Sequence, residues 1–178
     1  SDVYKRQVLG RFVASGGVLL VASGRVLLSL KRIVGSWQVP CFLAATNGSV
    51  LLRWPEEKRF YAHELPHSIV EETLETGCGL GRPHLLYDDK LYAAGTEEAV
   101  RYSTLLNVPF HHTPSLLSHL KPGVRAVSWR CTPEAAVRLY QKLREQLGGR
   151  ASVTMSHTVL VDVNPPGSEK GIALRHVQ

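Results

Sequence analysis

Two short segments carry residue types suited to holding an anion. The first is Ser23-Gly24-Arg25, a hydroxyl followed by a residue with no side chain, directly after the apolar run Val18 to Ala22. At the carboxyl end of a buried parallel strand, such a pair offers a hydroxyl and unhindered backbone N–H groups where open α/β sheets bind ligands. The second is Pro166-Gly167-Ser168-Glu169-Lys170-Gly171, in which Lys170 falls in the first turn of an expected helix. A cation there opposes the helix dipole by roughly 0.3 to 1 kcal/mol, and a bound anion removes the conflict. Each segment read alone has a plainer alternative: a Ser-Gly turn in the first case and a solvated lysine in the second.

The elements around these segments read as α/β. Val18 to Ala22, entered through Gly16-Gly17, is expected to be a strand buried on both faces. Val26, Leu27, Leu30, Ile33 and Val34 recur at helical spacing up to Gly35, and Cys41 to Ala45 is the next buried strand. This β-α-β order predicts a parallel sheet. Asn47-Gly48 between apolar runs predicts a tight hairpin into Ser49-Val50-Leu51-Leu52.

Further on, Pro66 and Gly77 bracket a helix containing Ile69, Val70 and Leu74. Strands are expected at Leu85 to Tyr87 and Leu91 to Ala93, and a helix at Glu97 to Leu106. A strand at Val124 to Trp129 then leads into a helix capped by Thr132 with Pro133 at its first position. That helix carries Ala136, Leu139, Tyr140, Leu143 and Leu147 on one face and stops at Gly148-Gly149. A strand pair follows through Ala151 to Val153 and Thr158 to Val163. After Pro165-Pro166-Gly167, Ser168 is expected to cap the helix of Ile172, Ala173 and Leu174.

Composition narrows the function classes. The chain has 178 residues and 44% apolar content, enough for a substantial core. Its net charge of +6 is scattered, which argues against a nucleic-acid footprint and leaves anionic small molecules as ligands. No apolar run approaches membrane-spanning length, so no membrane partner is expected. Cys41, Cys78 and Cys131 are odd in number and lack metal-ligand spacing, which fits a reducing cytoplasm. His111, His112 and His119 are expected as solvated loop histidines, and Asp88-Asp89 as a turn. Trp37, Trp54 and Trp129 are expected in packing. Asn47-Gly48-Ser49 fits an N-glycosylation acceptor but reads better as the hairpin, and Gly77, Gly79 and Gly81 read as a loop.

Taken together and in order, the segments are similar to motifs of the Cof-type (HAD-IIB) hydrolases of the haloacid dehalogenase superfamily. Gly17 to Arg25 resembles that family's strand ending in Thr-Gly-Arg or Ser-Gly-Arg. Ala45-Thr46-Asn47-Gly48-Ser49 resembles its Asn-Gly-Ala hairpin, and Gly167 to Leu174 its Ser-Lys-Gly-x-Ala-Leu motif, with the departure that Glu169 separates Ser168 from Lys170. The resemblance implies a partial Rossmann-like parallel-sheet core with an inserted α/β cap. The expected divisions are residues 8–64 and 164–178 as core, 65–163 as cap, and 1–7 as a non-native segment similar to adaptor-derived ends.

The family's roles imply that Ser23 and the Gly24 N–H hold phosphoryl oxygens and that Lys170 neutralises charge on phosphate and nucleophile. Arg25 and Asn47 would support the site or touch substrate. The implied reaction is magnesium-dependent hydrolysis of a small phosphorylated substrate by an Asp nucleophile. The chain's only Asp residues are Asp2, Asp88, Asp89 and Asp162, none in an Asp-x-Asp arrangement. The nucleophile and the metal ligands are therefore expected outside this chain, which reads as a truncated frame that is inactive by itself. A related phosphomutase and a noncatalytic ligand- or partner-binding cap module are the alternatives.

Overall fold

The computed structural model describes residues 2–95 and 97–177. Helix α1 (Asp2–Ala14) opens the chain and runs through the division expected after residue 7. No Gly or Pro interrupts the sequence before Gly10, so nothing local stops a helix there. Strand β1 (Leu20–Ala22), helix α2 (Leu27–Gly35), strand β2 (Cys41–Ala45), strand β3 (Val50–Trp54) and strand β4 (Lys58–Ala62) then form a sheet in the order β1-β2-β3-β4.

β1 and β2 pair in parallel, with Leu20 opposite Phe42 and Ala22 opposite Ala44, as the β-α-β pattern predicts. The remaining pairings of this sheet are antiparallel, so the expected parallel sheet is a mixed one. Nor is β1 buried on both faces: it is three residues long, paired on one edge only, and Val18 before it is 55% exposed. The turn from β2 to β3 is wider than the expected tight hairpin. Ala45 pairs with Val50, and Thr46 to Ser49 lie between them.

The second sheet belongs to the inserted segment. Helix α3 (His67–Thr76), strands β5 (Arg82–Leu86) and β6 (Leu91–Ala93), helix α4 (Glu97–Leu106), strands β7 (Phe110–His112) and β8 (Ala126–Arg130), helix α5 (Pro133–Leu147), and strands β9 (Ser152–His157) and β10 (Leu160–Asn164) follow in turn. The strand order is β7-β6-β5-β8-β10-β9, antiparallel except for β6 with β7.

Strand alternation sorts its two faces. Leu85, Val127 and Val161 join α3 and α5 in one buried cluster, while Leu86 and Ala126 join Ala99 and Leu106 of α4 in another that also takes in Val26 of the first unit. α5 starts and stops as the sequence predicts: Thr132 Oγ1 accepts from the Ala135 N–H at 3.3 Å, and Gly148 takes the left-handed conformation at φ 52°. Each fully buried leucine of α5 is worth about 2 kcal/mol. Helix α6 (Lys170–Arg175) returns the chain to the first unit.

Candidate active site

The Ser23 loop and the Asn47 turn are laced together by backbone bonds. The Ser23 N–H donates to Ala44 O at 2.9 Å, extending the β1–β2 ladder by one residue. Its carbonyl accepts from the Asn47 N–H at 3.0 Å, and the Arg25 carbonyl accepts from the Thr46 N–H at 2.8 Å. Ser23 Oγ accepts from the Arg25 N–H at 3.2 Å, which closes the loop locally and leaves the hydroxyl proton available to a ligand.

The Asn47 turn is strained. Thr46, Asn47 and Gly48 all have positive φ, at 48°, 58° and 95°. Asn tolerates this region, whereas a β-branched threonine does so at a cost of order 1 kcal/mol or more. The Thr46 hydroxyl is also buried with no hydrogen-bond partner among the described residues. Strain and an orphaned polar group at one residue are typical of a site held for chemistry rather than for stability.

Close approaches explain both glycines. A Cβ on Gly24 would stand 3.0 Å from Asn47 Oδ1, and one on Gly48 would stand 2.9 Å from the Glu169 carbonyl. Gly48 thus lets the turn press against the residue that precedes α6 and delivers Lys170 to the same place. Asn47 and Lys170 line one cleft of about 300 Å³, together with Ser168 and Glu169 and, from β9, Thr154 and Ser156. Ser23 and Gly24 do not line this cleft themselves; they meet it through Asn47, which bonds the Ser23 carbonyl and whose Oδ1 lies close to Gly24.

Two residues are placed differently from expectation. Ser168 does not cap α6; that position is Glu169, which makes no side-chain cap bond. The extra residue before Lys170 shifts Ser168 inward, where it is 2% exposed and its Oγ lies 3.2 Å from Ser49 Oγ. Arg25 reaches away from Asn47: its Nη1 donates to Leu105 O at 2.6 Å and to Ser29 Oγ at 3.3 Å, tying α4 to the first unit.

Sequence reasoning missed the polar cluster beneath the cleft. Asn164 is 1% exposed and bonds Asn47, Thr46, Ser49 and Arg125. Arg125 forms a two-point pair with Asp88, Nε to Oδ1 at 2.9 Å and Nη2 to Oδ2 at 3.2 Å, and its Nη1 donates to His63 O at 2.9 Å. Asp88 is therefore an ion-pair partner as well as part of a bend. The partners lie 37 to 118 residues apart, a separation that periodicity does not reveal. The one local hint was a polar Asn closing an apolar strand just before Pro165-Pro166.

His111 and His112 lie in β7 rather than in a loop, with His111 stacked on Tyr92 at 5.0 Å. Among the described residues no group of three His, Cys, Asp or Glu side chains could hold a metal ion. The cleft's one carboxylate, Glu169, does not make a magnesium site. Asp162, the remaining buried aspartate, is bonded to Ser128 Oγ at 2.6 Å within the cap sheet.

An α/β unit whose first strand ends in a small-residue loop, interrupted by a second α/β domain and resumed at a lysine-bearing helix, has the architecture of a core with an inserted cap. Residues 2–178 match the haloacid dehalogenase-like hydrolase family, and the chain belongs to it, as a Cof-type member. Among curated relatives, an HMP-PP phosphatase of Yersinia pestis is 26% identical over 168 residues, covering 93% of this chain and 61% of its own length. An HMP-PP phosphatase of Cronobacter sakazakii is 23% identical over 171 residues, 96% of this chain and 62% of its own. The chain thus spans about three fifths of the curated relatives it matches.

The fold is shared with a haloacid dehalogenase-like hydrolase from Bacteroides thetaiotaomicron. Its TM-score is 0.82 at 18% identity, over 96% of this chain and 66% of that one. A HAD subclass IIB sugar phosphatase aligns with a TM-score of 0.70 at 14% identity, over 99% of this chain and 66% of that one.

Proposed function

We propose that this chain is the phosphate-binding part of a phosphatase acting on small phosphomonoesters, sugar phosphates or phosphorylated cofactors. The observation that carries the reading is the meeting of the Ser23-Gly24 loop, Asn47 and the Lys170 helix start around one turn. In this reading the Ser23 hydroxyl and the Gly24 N–H donate to phosphoryl oxygens, and Lys170 supplies the positive charge. Asn47 contributes its carbamoyl beside them, while Arg25 holds α4 in place. Thr154 and Ser156 give the cap side of the cleft an uncharged, hydrogen-bonding lining for the leaving group. The names of the relatives, HMP-PP phosphatase and sugar phosphatase, support phosphate-ester substrates.

Binding and turnover separate in this chain. Asp88 is committed to Arg125 and Asp162 to Ser128, and neither lines the cleft. Without an aspartate at the phosphate the family's nucleophile is missing, so the 178-residue chain is expected to bind phosphate and not to hydrolyse its esters. Magnesium, which the family resemblance implies for the complete protein, would supply charge neutralisation through carboxylates beyond those of this cleft. No helix among the described residues is long and apolar enough to cross a membrane. The three free cysteines support a reducing compartment, the cytoplasm.

Calorimetric titration with orthophosphate tests the reading. Lys170→Ala is expected to weaken binding by about tenfold or more, the scale of a charge-assisted contact. Unchanged affinity in that variant, or magnesium-dependent turnover of p-nitrophenyl phosphate by the chain, contradicts it.

A further inference from the structure

We propose that Asn164 is a positioning residue that couples the setting of the cap to the orientation of Asn47 in the phosphate site; this rests on the reading of the cleft given above. Asn164 is the last residue of β10, where the chain leaves the cap for the first unit, and it is 1% exposed. Its carbamoyl is used at both ends. Oδ1 accepts from Asn47 Nδ2 at 3.1 Å, and Nδ2 faces Thr46 O at 3.2 Å, Arg125 O at 3.3 Å and Ser49 Oγ at 3.4 Å. Turning the amide over would set two NH2 groups against each other and an oxygen against oxygens, so one orientation is enforced.

The consequence passes to Asn47. With its nitrogen committed to Asn164, its Oδ1 is turned toward Gly24, 3.0 Å from where a Cβ would sit. The side chain beside the Ser23 loop is thus oriented by a residue 117 positions later whose own bonds, among the described residues, go to Thr46, Asn47, Ser49 and Arg125.

The same cluster gathers both crossings between the units. Asn164 lies on the return crossing, and Arg125, whose carbonyl it bonds, donates to the His63 carbonyl on the outgoing one while paired to Asp88. A shift of the cap against the first unit therefore acts on Asn164 and through it on Asn47. Burial makes this chain of bonds stiff, because any member left without its partner bears the full desolvation of an unsatisfied polar group.

The test uses the 178-residue chain with orthophosphate as the probe, read by calorimetry, and the Asn47 side-chain amide signals, read by NMR without ligand. Asn164→Leu is expected to shift the Asn47 amide pair and to weaken orthophosphate about tenfold. With Asn47→Ala already present, adding Asn164→Leu is expected to cost nothing further, since the two act as one unit. A purely structural role would instead lower the melting temperature and weaken binding equally in both backgrounds. If Asn164→Leu does not fold, Asn164→Ala, which leaves room for a water to serve the freed carbonyls, carries the same cycle.

Unmoved Asn47 signals, no loss on Asn47→Ala, or equal losses in both backgrounds overturn the proposal. Binding that Lys170→Ala abolishes and Asn164→Leu spares would sink the positioning role alone. A chain that binds no orthophosphate would sink the reading of the cleft, and the ligand-free NMR signals would still decide whether Asn164 orients Asn47.

Discussion

The six-stranded sheet of the cap closes over a continuous cluster that includes Trp129, Leu139, Leu143 and Leu147, all buried, with α3 and α5 laid across one face. The four-stranded sheet that carries Ser23 and Asn47 buries two smaller clusters, ends on the three-residue β1, and is preceded by a helix whose Val3 and Tyr4 face solvent. Stability and chemistry are thus placed in different halves. The larger cap cluster is built from the cap's own residues, whereas the Ser23 loop sits on an edge strand and a strained turn held by backbone bonds and a polar cluster from the neighbouring unit. Small-residue loops at strand ends give up packing to expose N–H groups, so such a site depends on its neighbours for rigidity.

The largest expected effect lies in the cap. Leu143→Ala removes a fully buried side chain from the middle of α5 and is expected to cost about 3 kcal/mol, read as a lower urea midpoint. Orthophosphate affinity in the surviving folded fraction should be unchanged; a matching loss of affinity would mean that the two halves are not separable as described.

An intermediate effect lies in the first sheet and depends on pH. Burial pushes the Cys41 thiol up to about 11. The folded state therefore keeps a proton that the unfolded chain gives up at lower pH, so this contribution to stability is whole below the ordinary value of 9.0 and is lost as pH rises through about 11. Cys41→Ala should flatten that alkaline decline in a urea series, and an unaltered slope would place its cause elsewhere.

The smallest effect is on the cap surface. A hydrogen bond from Arg150, at 2.7 Å, holds the Glu72 carboxyl below its usual value. Its contribution is present above the usual carboxylate range and fades as pH falls through the lowered value. Glu72→Gln should remove a minor acid-side slope and leave neutral stability nearly as it was, as exposed pairs contribute little. A large loss at neutral pH would show that this contact between α3 and the turn after α5 matters more than the core beneath it.

The cap was largely legible in the sequence because its elements announce themselves locally. Thr132-Pro133 and Gly148 bracket α5 with periodic leucines between, and Glu97–Leu106 is helical as its pattern predicts. What escaped was set by partners. β4, Lys-Arg-Phe-Tyr-Ala, is a polar edge strand with no alternation to betray it. β1 reads as a buried strand by composition, and only the neighbours it pairs with decide that it is an edge.

In the proposed site, Ser23, Gly24, Asn47 and Lys170 could be nominated from the sequence because each sits at a strand or helix end, where the residue type alone suggests a role. Asn164 and Arg125 were not, because their roles lie in contacts across dozens of residues with no shared period. Glu169, the extra residue between Ser168 and Lys170, takes the capping position while Ser168 turns inward, and this departure from the Ser-Lys pair was the one sign of it in the sequence.

The most direct test of the shared phosphate site is an orthophosphate titration of the chain followed by NMR. The backbone amides of Gly24, Asn47 and Lys170 are expected to shift together along one binding curve, and all three responses should vanish in Lys170→Ala. Separate curves for Gly24 and Lys170, or a Gly24 response that survives the loss of Lys170, would contradict the account.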